Sequence, residues 1–254
     1  MGRTPSIQRG SDAFELHFKT LYGSRWTALR AALEAPPVPE DHLEGLLKPY
    51  FLDQASVVAA KALQVRPGDH VLDLCAAPGG KTLVLALALC GNGRLVSNDR
   101  SAARRQRLLK VVNEHLPAEL KSIVKITGYD GTRWGLFEKN VYNKILIDAP
   151  CSSERHLLHH SQYLKDWSPH RTKTLAQQGL ALLCAGLEAL RPEGRLVYST
   201  CSISPHENQG LIDRFLKKRP GQWRLIETNE IFPDQHQGRG PLFWTVLEKL
   251  PEEL

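Results

Sequence analysis

Long apolar runs are missing from this 254-residue chain: the longest, Leu83 to Cys90, has eight residues. A membrane-spanning helix needs about 20, so the sequence predicts a soluble protein with no membrane association. An apolar leader with a cleavage site is also missing, and secretion is not expected. The acid-free first eleven residues carry two arginines, too few for an organelle transit peptide, which leaves the cytoplasm as the expected compartment. Cysteine is scarce: the five stand at 75, 90, 151, 184 and 201, and none forms a C-x-x-C pair. That spacing disfavours a zinc site and a disulfide framework alike, and predicts reduced thiols and no metal. Internal repeats and low-complexity segments are absent. So are two nucleotide signatures: Gly80-Lys81-Thr82 would end a Walker A loop, but Cys75 stands where its first glycine belongs, and no G-x-G-x-x-G occurs.

What is present is enough apolar sequence, 42%, for one sizeable α/β domain with a small appendage. The net charge of +6 suggests a polyanionic partner. Residues 1–60 hold six Lys/Arg against seven Asp/Glu, so the excess basicity lies further on. Arg100, Arg104, Arg105, Arg107 and Lys110 form one acid-free stretch, and Lys217, Lys218 and Arg219 another. Either can hold a nucleic-acid backbone or simply be a solvated face.

Val71 to Thr82, V-L-D-L-C-A-A-P-G-G-K-T, reads as a strand, a glycine turn and the start of a helix, a cradle for a nucleotide-like ligand. Upstream, residues 1–11 read as a tail, and two short helices follow, one carrying Phe14, Phe18 and Leu21 and one carrying Trp26, Leu29 and Leu33, ending at Pro36-Pro37. Their expected role is to cover the domain. Asp53 caps a helix to about Leu63. Strands are expected at Arg94–Ser97, Ile123–Ile126, Lys144–Ile147, Gly194–Tyr198 and Phe243–Leu247. Helices are expected from Ala102 to about Glu114 and from Ser168-Pro169 to Arg191-Pro192. Strands alternating with helices imply a doubly wound, mostly parallel sheet with its ligand at the carboxyl ends of the strands.

Those ends carry Asp73, Asp99, Asp130, Asp148-Ala149-Pro150-Cys151 and Thr200-Cys201. Asp99 lies about 20 residues past the glycine turn, where an acid binds ribose hydroxyls. Asp130 is either a partner for an adenine amino group or a loop cap. Cys90 and Cys184 sit in apolar helical runs and read as small buried hydrophobes, and Cys75 as packing. Cys151 and Cys201 each follow a strand, and a nucleophilic role would require their activation. His156, His159 and His160 have helical spacing but no completing ligand set, so RNA contact or plain surface is the better reading.

In this order, D-L-C-A-A-P-G-G-K-T, D-A-P-C-S-S and Y-S-T-C-S-I-S-P-H-E-N resemble the NSUN (Sun-domain) RNA cytosine-C5 methyltransferases, from roughly Pro49 to the C-terminus. The likeness is greatest to the family's short mitochondrial ribosomal-RNA branch, through Tyr129-Asp130-Gly131, Arg133-Trp134-Gly135, Glu154-Arg155-His156 and Gly240-Pro241-Leu242-Phe243. The resemblance implies a Rossmann-like methyltransferase fold with a seven-stranded sheet, residues 1–48 being a tail and small N-terminal helical extension and residues 49–254 the catalytic domain. It implies S-adenosylmethionine as cofactor, held by Cys75, Ala76, Ala77, Pro78, Gly79, Gly80, Lys81, Asp99, Arg104, Asp130, Gly131 and Asp148. It implies Cys201 as nucleophile, Cys151 as the thiol that assists product release, and Asp148 with Lys81 beside the cytosine. The expected substrate is RNA, ribosomal RNA before transfer RNA, bound by a monomer with or without a targeting partner protein. A DNA cytosine methyltransferase would use the P-C cysteine, which the T-C motif at Cys201 argues against. A non-catalytic S-adenosylmethionine-binding ribosome-assembly factor would have no need of both thiols. No separate RNA-binding module such as a PUA domain is visible.

Overall fold

A computed structural model of the chain describes residues 9–36 and 43–251, so residues 1–8 of the expected tail lie outside the described residues. Strands β1 (His70–Asp73), β2 (Arg94–Asn98), β3 (Val124–Thr127), β4 (Tyr142–Asp148), β5 (Leu190–Thr200), β6 (Trp223–Ile231) and β7 (Leu242–Lys249) form a seven-stranded sheet in the order β3-β2-β1-β4-β5-β7-β6. All neighbours from β3 to β5 are parallel, while β7 runs antiparallel to both β5 and β6. The strand order reverses between β1 and β4. A doubly wound sheet opens a crevice at that point, outside the carboxyl ends of its strands.

Alternate residues of the central strands go to opposite faces, as the period of two requires. Leu72, Ile145, Ile147, Leu196 and Tyr198 pack against helices α8 (Pro169–Ala189) and α9 (Gln209–Lys218). Val71, Leu95, Leu146 and Val197 pack against α3 (Gln54–Ala62), α4 (Gly80–Leu89) and α5 (Ala102–His115). A third apolar cluster joins α1 (Ser11–Tyr22) and α2 (Trp26–Glu34) to α7 (Glu154–His159). Phe14, Phe18, Trp26, Leu29 and Leu33 meet Leu157, Trp167, Ile203 and Phe232 there. The opening helices therefore lie over the loops that follow β4, β5 and β6. A short α6 (Ala118–Ser122) leads into β3.

Two sequence expectations need correction. Strand β6 was not anticipated: most of its residues are exposed or half-buried at the sheet edge, so it lacks the apolar alternation that marks a strand. Cys90 is not buried. Helix α4 stops at Leu89, and Cys90 caps it in the left-handed conformation with its thiol exposed.

Candidate active site

Asp148 and Ser199 are register partners on the parallel strands β4 and β5. Both strands end there, and their loops leave side by side, so Cys151 and Cys201 meet although 50 residues separate them. Their sulfurs are 3.3 Å apart, and Cys201 Sγ is 3.4 Å from Ser153 Oγ. The hydrogen bond between the thiols, supported by Ser153 and the Lys81 charge, pulls the Cys201 thiol below its ordinary pKa against the effect of burial. The same hydrogen bond, together with burial, pushes Cys151 up. The contact thus favours the anion on Cys201 over the anion on Cys151.

Lys81, in the first turn of α4, reaches across β1 to Asp148. Its Nζ donates to Asp148 Oδ2 at 2.8 Å and to Ser56 Oγ at 3.4 Å, while Ser199 Oγ donates to Asp148 Oδ1 at 3.0 Å. Burial works against the ammonium charge, but Asp148 outweighs it and the Lys81 pKa is raised. Lys81 and Asp148 thus form a fixed, charged pair within the strand-end crevice.

Behind the thiols lies a pair that sequence reasoning missed, the buried Glu154 and Glu207. Glu207 accepts from the backbone N–H of Ser152 at 2.8 Å, from Ser152 Oγ, and from Ser202 Oγ at 3.2 Å. Glu154 accepts from Ser202 Oγ at 3.2 Å and from the Ile203 N–H at 3.0 Å. These bonds tie the Cys151 loop to the Cys201 loop. Burial, then the nearby Glu154, push Glu207 up to about 8, and burial raises Glu154 as well. The available signal was the run of hydroxyl residues around each glutamate, since an acid among Ser and Thr can be satisfied in the interior.

A second hollow of about 230 Å³ opens at the ends of β1 and β2, and Cys75, Asp99, Arg104, Asp130 and Gly131 line it. Asn98 organises this side, donating to the carbonyls of Leu74 and Tyr129 and accepting from Thr127 Oγ1 and the Tyr129 N–H. Asp99 caps the Ser101 N–H through Oδ1. Its buried Oδ2 accepts no hydrogen bond, with Arg104 Nη1 3.3 Å away. Asp73 is buried, accepts from Thr82 Oγ1 at 2.7 Å, and leaves Oδ1 without a donor. Burial pushes its carboxyl up to about 7. Asp73 does not line the hollow, but the carboxylates of Asp99 and Asp130 do, and they suit an occupant that supplies hydroxyl or ammonium groups. S-adenosylmethionine carries both, so the residues present fit it.

The other expected cofactor residues stand elsewhere. Ala76 and Ala77 are buried, the Ala76 N–H donates to Asn98 O, and Ala77 O accepts from Arg104. Pro78 is exposed. Gly79 and Gly80 have a packing reason to be glycine. A Cβ on Gly79, whose φ is +122°, would lie 3.0 Å from Val111, and one on Gly80 would lie 2.8 Å from Leu52. Asp130 caps the turn after it by accepting from the N–H and hydroxyl of Thr132, which lowers its pKa. It does so while still lining the hollow. The basic stretch also divides: Arg104 and Arg105 turn inward, Arg105 donating to the carbonyls of Asp99 and Arg100.

The Cys201 sulfur faces a third space of about 410 Å³, shared with Ser56, Ser153, Arg155, His156, His159 and His160. His159 Nε2 is 3.1 Å from Leu33 O, so the three histidines do not converge on one point. Among the described residues no three His, Cys, Asp or Glu side chains are grouped to hold a metal ion.

The chain is similar to known proteins over most of its length. A family model described as 16S rRNA methyltransferase RsmB/F matches residues 60–250. The 5-cytosine rRNA methyltransferase NSUN4 of Mus musculus is 34% identical over 236 residues, which is 82% of this chain and 61% of that protein. A mitochondrial tRNA (cytosine(34)-C(5))-methyltransferase of Danio rerio is 39% identical over 198 residues, covering 77% of this chain and 53% of its own. The chain spans about half the length of the curated relatives it matches. Among solved structures, NSun6 from Pyrococcus horikoshii with SFG superposes with a TM-score of 0.68 at 25% identity over 80% of this chain and 53% of that one. A methyltransferase homolog from the same organism gives 0.73 at 23% identity over 94% and 95%, which shows the fold.

Proposed function

The chain belongs to the 16S rRNA methyltransferase RsmB/F family, and from that premise we propose that it methylates C5 of a cytidine in RNA, ribosomal RNA by the first reading, through a covalent bond from Cys201 Sγ to C6. The observation that carries this reading is the pair of strand-end thiols 3.3 Å apart, beside the Lys81–Asp148 ion pair. Residues 49–254 are the catalytic unit in this reading and residues 1–48 an extension of it.

Cytosine C5 is a weak nucleophile. The Cys201 thiolate adds to C6, and the electron pair of the C5–C6 double bond becomes available at C5. Negative charge that develops toward N3 is met by the Lys81 ammonium, held against Asp148 and Ser56, while Asp148, itself held by Ser199, accepts from the exocyclic amine of the ring. S-adenosylmethionine, when bound beside Cys75, Asp99, Arg104, Asp130 and Gly131, supplies an electrophilic methyl group to that C5. Once Cys201 is a thioether, the anion that kept Cys151 protonated is gone. Cys151 then gives its proton to water and, as the thiolate, accepts the one on C5; the C5–H electron pair re-forms the C5–C6 double bond as the C6–S bond breaks and its pair returns to Cys201.

Cys201→Ala is expected to abolish methyl transfer, and Cys151→Ala to accumulate a protein–RNA adduct that survives denaturing electrophoresis. An adduct in the Cys201 variant and none in the Cys151 variant would reverse the two roles. A transfer-RNA cytidine is the second reading, favoured by the tRNA-named relatives. Bisulfite sequencing of total RNA with and without the gene separates the two.

A further inference from the structure

Helix α7 and the turn after it carry a group of rings that the reaction does not use. His156 and His160 are exposed, with ring centroids 4.3 Å apart and planes 33° apart. Tyr163, half exposed, stacks on His156 at 5.6 Å and 25° and lies 6.1 Å from His160. The i, i+4 spacing puts both histidines on one side of α7, while Leu157 of the same helix is buried against α1 and α2. Both histidines line the 410 Å³ space that contains Cys201. Such a volume lies within the range of pockets that hold a drug-sized ligand, more than one pyrimidine ring requires.

The rings are held in place from behind. Arg155 Nη2 donates to the carbonyls of Ala32 and Gly238, and His159 meets the carbonyl of Leu33, so α7 is fastened to the end of α2. Arg155 lines the same space, and its Nε and Nη1 are buried without an acceptor. The space therefore offers flat ring faces fixed in place from behind.

We propose that His156, His160 and Tyr163 form a stacking platform for the nucleobase next to the target cytidine. The proposal rests on the reading of the chain as an RNA cytidine methyltransferase and names a substrate subsite within it. A cytidine that reaches Cys201 has left its stack, so its neighbour loses a stacking partner, and exposed rings beside the same space replace it. Base–aromatic stacking tolerates any base, so the platform secures the strand without reading its sequence. Partial desolvation, with His160 and His159 nearby, lowers the His156 pKa, which favours the uncharged ring.

The test pairs removal of the rings with removal of the base. Short single-stranded RNA oligonucleotides containing one cytidine are made intact, or with an abasic nucleotide on the 5′ or the 3′ side of it. Their Kd is measured by fluorescence anisotropy for the full chain and for the His156→Ala/His160→Ala variant. One abasic flank is expected to weaken wild-type binding about tenfold, and the variant to lose about tenfold on intact RNA with little further loss on that abasic RNA. His156→Phe/His160→Phe should restore both the affinity and the sensitivity to the abasic flank, because the rings and not the charge or hydrogen bonds matter. Losses that multiply independently, or insensitivity of the wild type to either flank, would overturn the platform. If the wild type transfers labelled methyl groups to RNA and shows no such coupling, only the platform fails. If coupling persists without methyl transfer, the platform stands and the enzymatic reading fails. A chain that binds none of these RNAs ends both.

Discussion

The two sides of the crevice treat their carboxylates in opposite ways. Around the thiols, every carboxylate oxygen of Asp148, Glu154 and Glu207 accepts a hydrogen bond from Lys81, a serine or a backbone N–H. At the end of β2, where the hollow opens, Asp99 Oδ2 is buried and accepts no hydrogen bond, with the Arg104 guanidinium 3.3 Å away. A side that must keep two sulfurs at a set distance satisfies its own polar groups, which fixes the loops. A side that must receive a ligand leaves an acceptor for that ligand to satisfy, at a cost to the empty protein of about 1–3 kcal/mol for a buried group without a hydrogen bond. Substitutions on the thiol side should therefore reduce stability, and those on the ligand side should reduce binding.

The largest effect is expected at Glu207. Glu207→Ala deprives the Ser152 N–H and two buried hydroxyls of their shared acceptor, and a loss of about 3 kcal/mol in urea unfolding is expected. Glu207→Gln keeps an acceptor and should cost less. It also tests the proton. Glu207 titrates near about 8 in the folded state against an ordinary 4.5, so the folded chain holds a proton that the unfolded chain gives up. Its contribution to stability is complete below the unfolded pKa and is lost as pH rises through the folded one, by at most about 1.4 kcal/mol per unit. Between about pH 6 and pH 8 the wild type should lose stability relative to the Gln variant. Parallel stability profiles would show that Glu207 is ionised throughout and that the staple works without a shared proton.

On the ligand side the expected change is in affinity. Asp99→Asn keeps an oxygen for the Ser101 N–H and removes the charge at an oxygen that accepts no hydrogen bond and is ion-paired only with the part-exposed Arg104. Unfolding should move by no more than about 0.5 kcal/mol. Affinity for S-adenosylhomocysteine by calorimetry should fall at least tenfold, as expected for losing a hydrogen bond to a charged group worth about 1.5–3 kcal/mol. A large stability loss with intact affinity would mean that Asp99 serves the fold, and the contrast between the two sides would fail.

The sequence revealed the parallel core because strands such as Lys144–Ile147 and Gly194–Tyr198 are apolar runs bounded by turn signals, and their ends carry the acids and thiols. It did not reveal Glu154 and Glu207, since a glutamate looks like a surface residue until the hydroxyls that satisfy it are placed around it. Nor did it reveal why Gly79 and Gly80 are glycines. The neighbours that exclude a Cβ, Val111 and Leu52, come from distant parts of the chain. The resemblance placed Arg104 at the cofactor, but Arg105 was read only as part of a basic stretch, either a nucleic-acid contact or a solvated face: the acceptors of both, on Asp99, Ala77 and Arg100, become visible only when α5 is laid against the ends of β1 and β2.

Cys90 supplies the smallest effect and a control for the comparison, because it is a free thiol on neither side of the crevice. It was read as buried since an apolar run precedes it, but the helix had already ended before the turn at Gly91-Asn92-Gly93. Its φ of +50° is a conformation in which a side chain costs about 1–2 kcal/mol, a cost that glycine avoids at a helix C-cap. Against that gain stand the greater backbone freedom of glycine when unfolded and the weak contact of the Cys90 sulfur with the Leu87 carbonyl. Cys90→Gly should therefore raise unfolding stability by about 0.5 kcal/mol and leave methyl transfer unchanged. A loss of activity in this variant would mean that the chemistry is not confined to the two stapled thiols at the ends of β4 and β5.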